Sequence, residues 1–327
     1  MVEINLVNLQ ARIEAAADRI APYVRRTPLE FSHGLSEKNE GNVFIKMESE
    51  QRTGSFKVRG AFNKCLVLSN EQPGIHVTTA SSGNHALACT LAMKTVGLTG
   101  TIYLSENVSK TKELALVRQG AILRHHGTDA VEAETKARQT AQEEGIPFIS
   151  PYNDMEVMTG QGTVGKEIVE DLPDVDAVFV PVGGGGLIAG IAAYIKAVKP
   201  TVKVVGCQPA HSAVMAKSVE AGRILDLPSL DTLSDGTAGG VEEGSITFPI
   251  CQQCVDDWVL VEEDVISDAI YFMMADHHKI VEGAAGVAIG AFLQTAQKYH
   301  GKSVAIISCG ANISIEKLKK IIECRHP

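Results

Sequence analysis

The chain is 327 residues long, 45% hydrophobic and 21% charged, the make-up of a soluble globular protein with length for roughly two domains. Its net charge is −9 and no block of Lys or Arg stands out, so nucleic acid and anionic membrane surfaces are poor partners. No apolar run could span a bilayer, and Met1-Val2-Glu3 opens without the basic segment and apolar run of a secretory signal.

Residues 8–21 are predicted as a helix, with Leu9, Ile13, Ala16, Ala17 and Ile20 on one face and Pro22 and Pro28 closing it. Residues 43–47 read as a strand, and Lys57 follows in a Gly/Ser turn that leads into a short helix carrying Ala61, Phe62 and Cys65. From His76 the text alternates: strands at 76–80, 101–104, 121–124 and 147–150, with a helix after Ser81–His85, one capped by Ser109, and one over about 129–145. Those four strands form one compact parallel unit. A helix over 159–172, a buried strand over 177–182 and a helix opened by Gly183, Gly184, Gly185 and Gly186 come next. A strand over 202–207, a helix over 210–222, a loop holding Asp235-Gly236, helices over 264–300 and a buried strand over 304–308 complete the order. No repeat or long linker interrupts it. The expected fold class is α/β: two doubly wound parallel-sheet lobes with a cleft between them, 1–75 and 152–327 forming the large domain and 76–151 the small one.

Seven scattered cysteines suit buried thiols in a reducing compartment, so cytoplasmic residence is expected. Cys251-Gln-Gln-Cys254 has redox or zinc spacing, but it has no second pair, and structural thiols at helix positions i and i+3 are the favoured reading.

Three stretches carry chemistry. Lys57 is flanked by Phe56 and small residues, which suits a partly desolvated amine able to form a Schiff base; the alternative is an ordinary surface charge. Four glycines between a buried strand and a helix make a phosphate cradle from backbone N–H groups, the alternative being a tight turn with close helix packing. Neither a Walker loop nor the dinucleotide fingerprint is matched there. Ser81-Ser82-Gly83-Asn84-His85, between strand and helix, offers a second anion site suited to a carboxylate, or plain helix capping. Ser308 ends the last buried strand, where open α/β sheets bind ligands.

With Arg26-Thr27-Pro28-Leu29, Gly160-Gln161-Gly162-Thr163, Asp235-Gly236 and Glu282-Gly283-Ala284, these stretches in this order resemble the fold-type II pyridoxal-phosphate enzymes, in the branch of threonine/serine dehydratases and serine racemases. The resemblance covers nearly the whole chain. It implies pyridoxal 5'-phosphate (PLP) as cofactor, with Lys57 as the Schiff-base lysine and Phe56 beside the ring. Asn84 would bond the ring oxygen, Gly183, Gly184, Gly185, Gly186 and Leu187 would hold the phosphate, and Ser308 would face the pyridine nitrogen. Gly236 and Glu282 would line the same site. Ser81, Ser82, Asn84 and His85 would bind the substrate, with Ser82 as a second catalytic residue across from Lys57. A homodimer acting on a small hydroxyamino acid is the expected assembly.

A neutral hydroxyl opposite the ring nitrogen makes the cofactor a weaker electron sink, which favours prompt loss of a β-hydroxyl over a long-lived carbanion. Ser-Gly-Asn-His also differs from the Ser-Gly-Asn-Thr of cysteine and cystathionine synthases. After Pro327 no regulatory module like that of feedback-controlled threonine deaminases is expected. Racemase-type members carry a divalent-metal site that begins at a Glu-Pro dipeptide; here Gln208-Pro209 and Val214 stand in its acidic positions, so no metal is expected. The expected activity is dehydration of serine, threonine or 3-hydroxyaspartate to a 2-oxo acid and ammonia. The alternatives are a serine or aspartate racemase with side dehydratase activity, and a non-enzymatic phosphate-ligand-binding protein.

Overall fold

The computed structural model describes residues 4–325. Its strands are β1 (Leu29–Phe31), β2 (Asn42–Lys46), β3 (His76–Ala80), β4 (Thr99–Leu104), β5 (Ile122–His125), β6 (Ala177–Pro181), β7 (Lys203–Pro209), β8 (Asp257–Val261) and β9 (Ser303–Ile307). The helices of the first half are α1 (Leu6–Ile20), α2 (His33–Asn39), α3 (Lys57–Glu71), α4 (Asn84–Val96), α5 (Lys110–Gln119), α6 (Ala130–Glu144) and α7 (Met155–Asp171). Those of the second half are α8 (Gly186–Val198), α9 (Val214–Ala221), α10 (Thr247–Cys254), α11 (Glu263–Asp276), α12 (Gly283–Thr295) and α13 (Ile315–Arg325).

Two sheets result. The large one has the order β1-β2-β9-β6-β7-β8, parallel except for β1, which runs antiparallel to β2. The small one has the parallel order β3-β4-β5. Both β6 and β9 are buried at every position, and apart from Ser303 each reads as an apolar run because helices cover both faces of the sheet. The C-terminal ends of β2, β9 and β6 lie side by side, and the segments leaving them form one rim of the cleft. Beyond β7, Trp258 of β8 lies flat against Gly206, where a Cβ would come within 2.6 Å of the indole. No helix among the described residues is long and apolar enough to cross a membrane.

The apolar core divides between the sheets. One cluster surrounds the large sheet; a second joins Val77, Ile102 and Leu104 of the small sheet to Val58, Phe62 and Cys65 of α3. Helix α3 therefore packs on both α4 and α7. The Gly160–Thr163 stretch lies on α7 where three helices meet. A Cβ at Gly160 would fall 2.7 Å from the Gly60 backbone of α3, and one at Gly162 2.9 Å from the Gly190 carbonyl of α8. Glycine is required there for close approach.

Some expected elements change. The expected fourth strand of the small sheet is one bridge, Thr78 with Phe148, because Pro147 and Pro151 deprive the segment of ladder donors. The 210–222 helix splits into a 3-10 turn at Ala210–Ser212 and α9. Helix α7 starts at Met155, four residues earlier than its apolar pattern suggests, because the Asp154 side chain accepts from the Glu156 and Val157 N–H groups. The short elements β1, α2 and β8 had no periodic signal long enough to read.

Beneath the cleft lies a buried ion cluster. The Arg59 guanidinium donates to both Glu48 oxygens at 2.8 and 2.7 Å, and to both Glu167 oxygens at 2.6 and 2.9 Å. Lys46 reaches Glu167 at 2.6 Å and the Thr27 carbonyl at 2.7 Å. Arg59, Lys46 and Glu48 are all fully buried. Two cations against two carboxylates balance, so removing one member strands a charge in a dry site. Arg59→Met is expected to lower unfolding stability by about 3–5 kcal/mol, as urea melts would show.

Candidate active site

Lys57 is the first residue of α3, held from below by main-chain bonds. The Phe56 N–H donates to the Cys309 carbonyl at 3.1 Å, and Ser55 bridges to Gly310. The Lys57 amine donates to the Pro151 carbonyl at 2.8 Å and lies 5.2 Å from the centre of the Phe56 ring. Burial pulls its pKa down to about 8, against an opposing pull from Cys89, Cys309 and Glu282. Such an amine is largely deprotonated at mildly alkaline pH and ready to add to a carbonyl.

Pro151 leads into Tyr152, whose ring closes one side of the glycine loop. A Cβ at Gly184 would come within 2.5 Å of that ring, and one at Gly186 within 2.9 Å of the Tyr152 Cβ. Gly185 has φ +88 and faces Met215 and Thr247. Helix α8 then begins without a side-chain cap, so its first-turn N–H groups have no side-chain acceptor. Leu187 turns its side chain into the core, leaving its N–H as the group able to serve a ligand. Uncapped N–H groups beside three close-packed glycines fit a phosphate, and the Lys57 amine, with its pKa pulled down to about 8, fits the carbonyl of PLP.

Opposite the amine stands Glu282, buried, just before α12. Asn84 donates to its two oxygens at 3.0 and 2.9 Å, and the Asn312 N–H donates at 3.1 Å. Asn312 also donates to the Asn84 carbonyl oxygen at 2.6 Å, so Asn84 is held on both ends of its amide. Burial raises the Glu282 pKa to about 7; the Asn84 bonds oppose this and the Asp235 charge adds to it. Gly236 faces the same carboxyl, since a Cβ there would lie 3.5 Å from Glu282 Oε1. The structure thus brings Lys57, Phe56, Asn84, Glu282 and Gly236 to one end of the cleft.

Two expected side chains point elsewhere. The Ser308 hydroxyl donates to Ser49 Oγ at 3.1 Å, beneath the cleft. It is Cys309, one residue on and therefore on the opposite face of the extended chain, whose Sγ lies 3.9 Å from Glu282 Oε1 and whose surroundings include the Lys57 amine. Burial keeps the Cys309 thiol protonated, its pKa well above the usual range. His85 turns inward to the Ile149 carbonyl at 3.1 Å with Cys89 beside it, and burial lowers its pKa to about 3. Only its backbone N–H, in the first turn of α4, is left to face an anion. Ser81 Oγ accepts from the Gly83 N–H at 3.2 Å, and Ser82 is half-buried in the same loop. Sequence reasoning missed Cys309, Tyr152 and Asn312; the Asn312 position after the last strand was the one visible hint.

Two ties on the flank join the small sheet's helices to the long loop before α10. Arg138 of α6 pairs with Glu242, which Asn153 also holds at 2.8 Å, and Lys112 of α5 lies 3.6 Å from Asp235. The Glu242 N–H donates to the Tyr152 hydroxyl at 2.9 Å, so this tie ends on the ring that closes the glycine loop.

Comparison with known proteins agrees with this geometry. The family model described as "Pyridoxal-phosphate dependent enzyme" matches residues 20–310. An L-threonine ammonia-lyase of Thermotoga maritima is 40% identical over 310 residues, covering 95% of this chain and 77% of its own. The solved structure of the processed form of threonine deaminase isoform 2 from Solanum lycopersicum superposes with a TM-score of 0.92 at 35% identity, covering 97% of this chain and 87% of that one. Maize serine racemase superposes with a TM-score of 0.88 at 31% identity, covering 97% and 99%. The chain belongs to the pyridoxal-phosphate-dependent enzyme family.

Proposed function

We propose that this enzyme converts a small β-hydroxy-L-amino acid, such as threonine, serine or 3-hydroxyaspartate, to a 2-oxo acid and ammonia. The observation that carries the reading is the Lys57 amine on the Pro151 carbonyl, with no carboxylate among the described residues bonded to it. The names of the relatives, threonine ammonia-lyase and threonine deaminase, support it.

PLP, when bound, supplies a carbonyl for the substrate amine and a conjugated ring that draws electrons from Cα. Gly183, Gly184, Gly185, Gly186 and the Leu187 N–H hold its phosphate in this reading. Phe56, Asn84, Gly236 and Glu282 would line its ring, and Cys309, in the place expected of Ser308, would face the ring nitrogen. A protonated thiol donates weakly, so the argument from a neutral group opposite the nitrogen carries over from serine to cysteine. The Ser81–Asn84 loop and the His85 N–H bind the substrate carboxylate. The Lys57 amine would take the α-proton from one face. The β-hydroxyl would leave with its bonding electrons and the proton that Lys57 carries, as water, which returns Lys57 to the amine. The enamine so formed is released, tautomerises and takes up water, giving the 2-oxo acid and ammonia. Residues 76–151 act as the small domain. A homodimer is part of the proposal on the family resemblance, and cytoplasmic residence on the seven free thiols, six of them buried.

The second reading is racemisation with Lys57 and Ser82 as bases on opposite faces; the likeness to maize serine racemase favours keeping it. Three measurements separate and test these readings. The purified protein should be yellow, borohydride should fix PLP to Lys57, and Lys57→Ala should lose the band and the activity together. Ser82→Ala should keep L-threonine or L-serine dehydration within about tenfold, roughly 1.4 kcal/mol in barrier, and abolish any D-amino-acid turnover. Wild-type racemisation that outpaces elimination on every substrate would move the assignment to the second reading.

The pH dependence has a definite sign. Lys57 is lowered from 10.5 to about 8, so the unfolded chain binds the extra proton between these values and apoprotein stability rises across that window. Below about 8 both states are protonated and the contribution is flat. In the same apoprotein the rate of reaction with PLP should climb through about pH 8, and a midpoint near 10.5 would show an ordinary solvated lysine.

A further inference from the structure

Behind the glycine loop, Gln208 lies buried near the end of β7 with both ends of its carboxamide engaged. Its Nε2 donates to the Val182 carbonyl at 3.1 Å, and Val182 is the residue that leads into Gly183. Its Oε1 accepts from the Ala216 N–H at 2.7 Å. Ala216 is the third residue of α9, a helix with no side-chain cap, so Gln208 supplies from a distance the acceptor that the helix start lacks. Met215, one residue earlier, packs against Gly185. One side chain therefore joins the entry of the loop to the helix that abuts its third glycine.

The two partners dictate the chemistry. A carbonyl can only accept and a backbone N–H can only donate, so the residue between them must carry a donor and an acceptor on one planar head. A carboxylate of the same size would keep the bond to Ala216 but set its second oxygen against the Val182 oxygen. Two oxygens facing each other at that distance repel unless a cation sits between them, and such paired oxygens are what Mg²⁺ and Ca²⁺ take as ligands. Val214, at the start of α9, is apolar and buried, and among the described residues no group of three or more His, Cys, Asp or Glu could hold a metal ion. The residues present do not fit the divalent metal that the racemase-type resemblance implies.

We infer that Gln208 is a positioning residue whose carboxamide sets the phosphate loop without a cation, making cofactor binding independent of divalent metal. The inference rests on the reading of the glycine loop as the phosphate cradle.

The test strips wild type, Gln208→Glu and Gln208→Met of cofactor and titrates each with PLP and with pyridoxal, at about pH 8 so that a glutamate is ionised. Each titration runs in EDTA and again with MgCl₂ or CaCl₂ alone. Wild-type affinity for PLP should agree within about twofold in all conditions. Gln208→Glu should bind PLP about tenfold or more weakly in EDTA and recover with either salt. Gln208→Met, with neither bond, should bind weakly throughout. Pyridoxal has no phosphate, so its affinity should be alike for all three proteins. Wild-type-like PLP affinity of Gln208→Glu in EDTA would overturn the inference, as would a pyridoxal loss equal to the PLP loss. Should Gln208→Met fail to fold, Gln208→Glu with and without cation decides alone. A wild type that binds PLP no better than pyridoxal would instead remove the phosphate-cradle reading on which the inference stands.

Discussion

The site depends on holding one lysine amine in a place too dry for its charge. A buried ammonium is stable only beside an anion, and the partner this chain bonds to Lys57 is the neutral carbonyl of Pro151. Glu282, the carboxyl whose charge acts on Lys57, is buried enough that its own pKa is raised to about 7. Neither group can then lock the other into a permanent ion pair. Had Glu282 remained a firm carboxylate in direct contact, the lysine would stay protonated and useless as a nucleophile or base.

Holding that amine in register takes a closed ring of contacts. Arg59, two residues after Lys57, grips Glu48; the next residue, Ser49, bonds Ser308 through both main chain and hydroxyl. Ser308 precedes Cys309, and the Cys309 carbonyl accepts from Phe56, beside Lys57. A displacement of the catalytic helix would strain every link. The hydroxyl of Ser308 thus belongs to the frame, and the thiol of Cys309 to the cleft.

That division shows what was legible in the sequence. Strand and helix alternation, the glycine loop and the Lys57 turn follow from local pattern, since burial on both faces and close backbone approach leave compositional marks. Which of Ser308 and Cys309 faces the cleft does not, because both are small and a strand end alternates its faces one residue at a time. The inward turn of His85 depends on the Ile149 carbonyl, 64 positions away, and Asn84 is fixed by Glu282, 198 positions away. Tyr152 carries no local mark of its place, since its contact with Gly184 and Gly186 is made only by the fold. The cluster of Lys46, Glu48, Arg59 and Glu167 reads in sequence as four surface charges, since nothing local announces their burial.

Trp258 is the chain's one tryptophan, and its indole N–H is buried without a partner. It lies flat on Gly206, two residues before Gln208 in the same strand. The protein therefore carries a single indole, on β8 and packed against the strand that braces the glycine loop. Its emission is free of overlap from a second indole, so it reports from one known place, both on the packing of that strand and, through energy transfer, on a chromophore that fills the cleft. A stopped-flow trace of this one side chain, set beside the absorbance of the cofactor, would show whether the frame settles with the chemistry at Lys57 or after it.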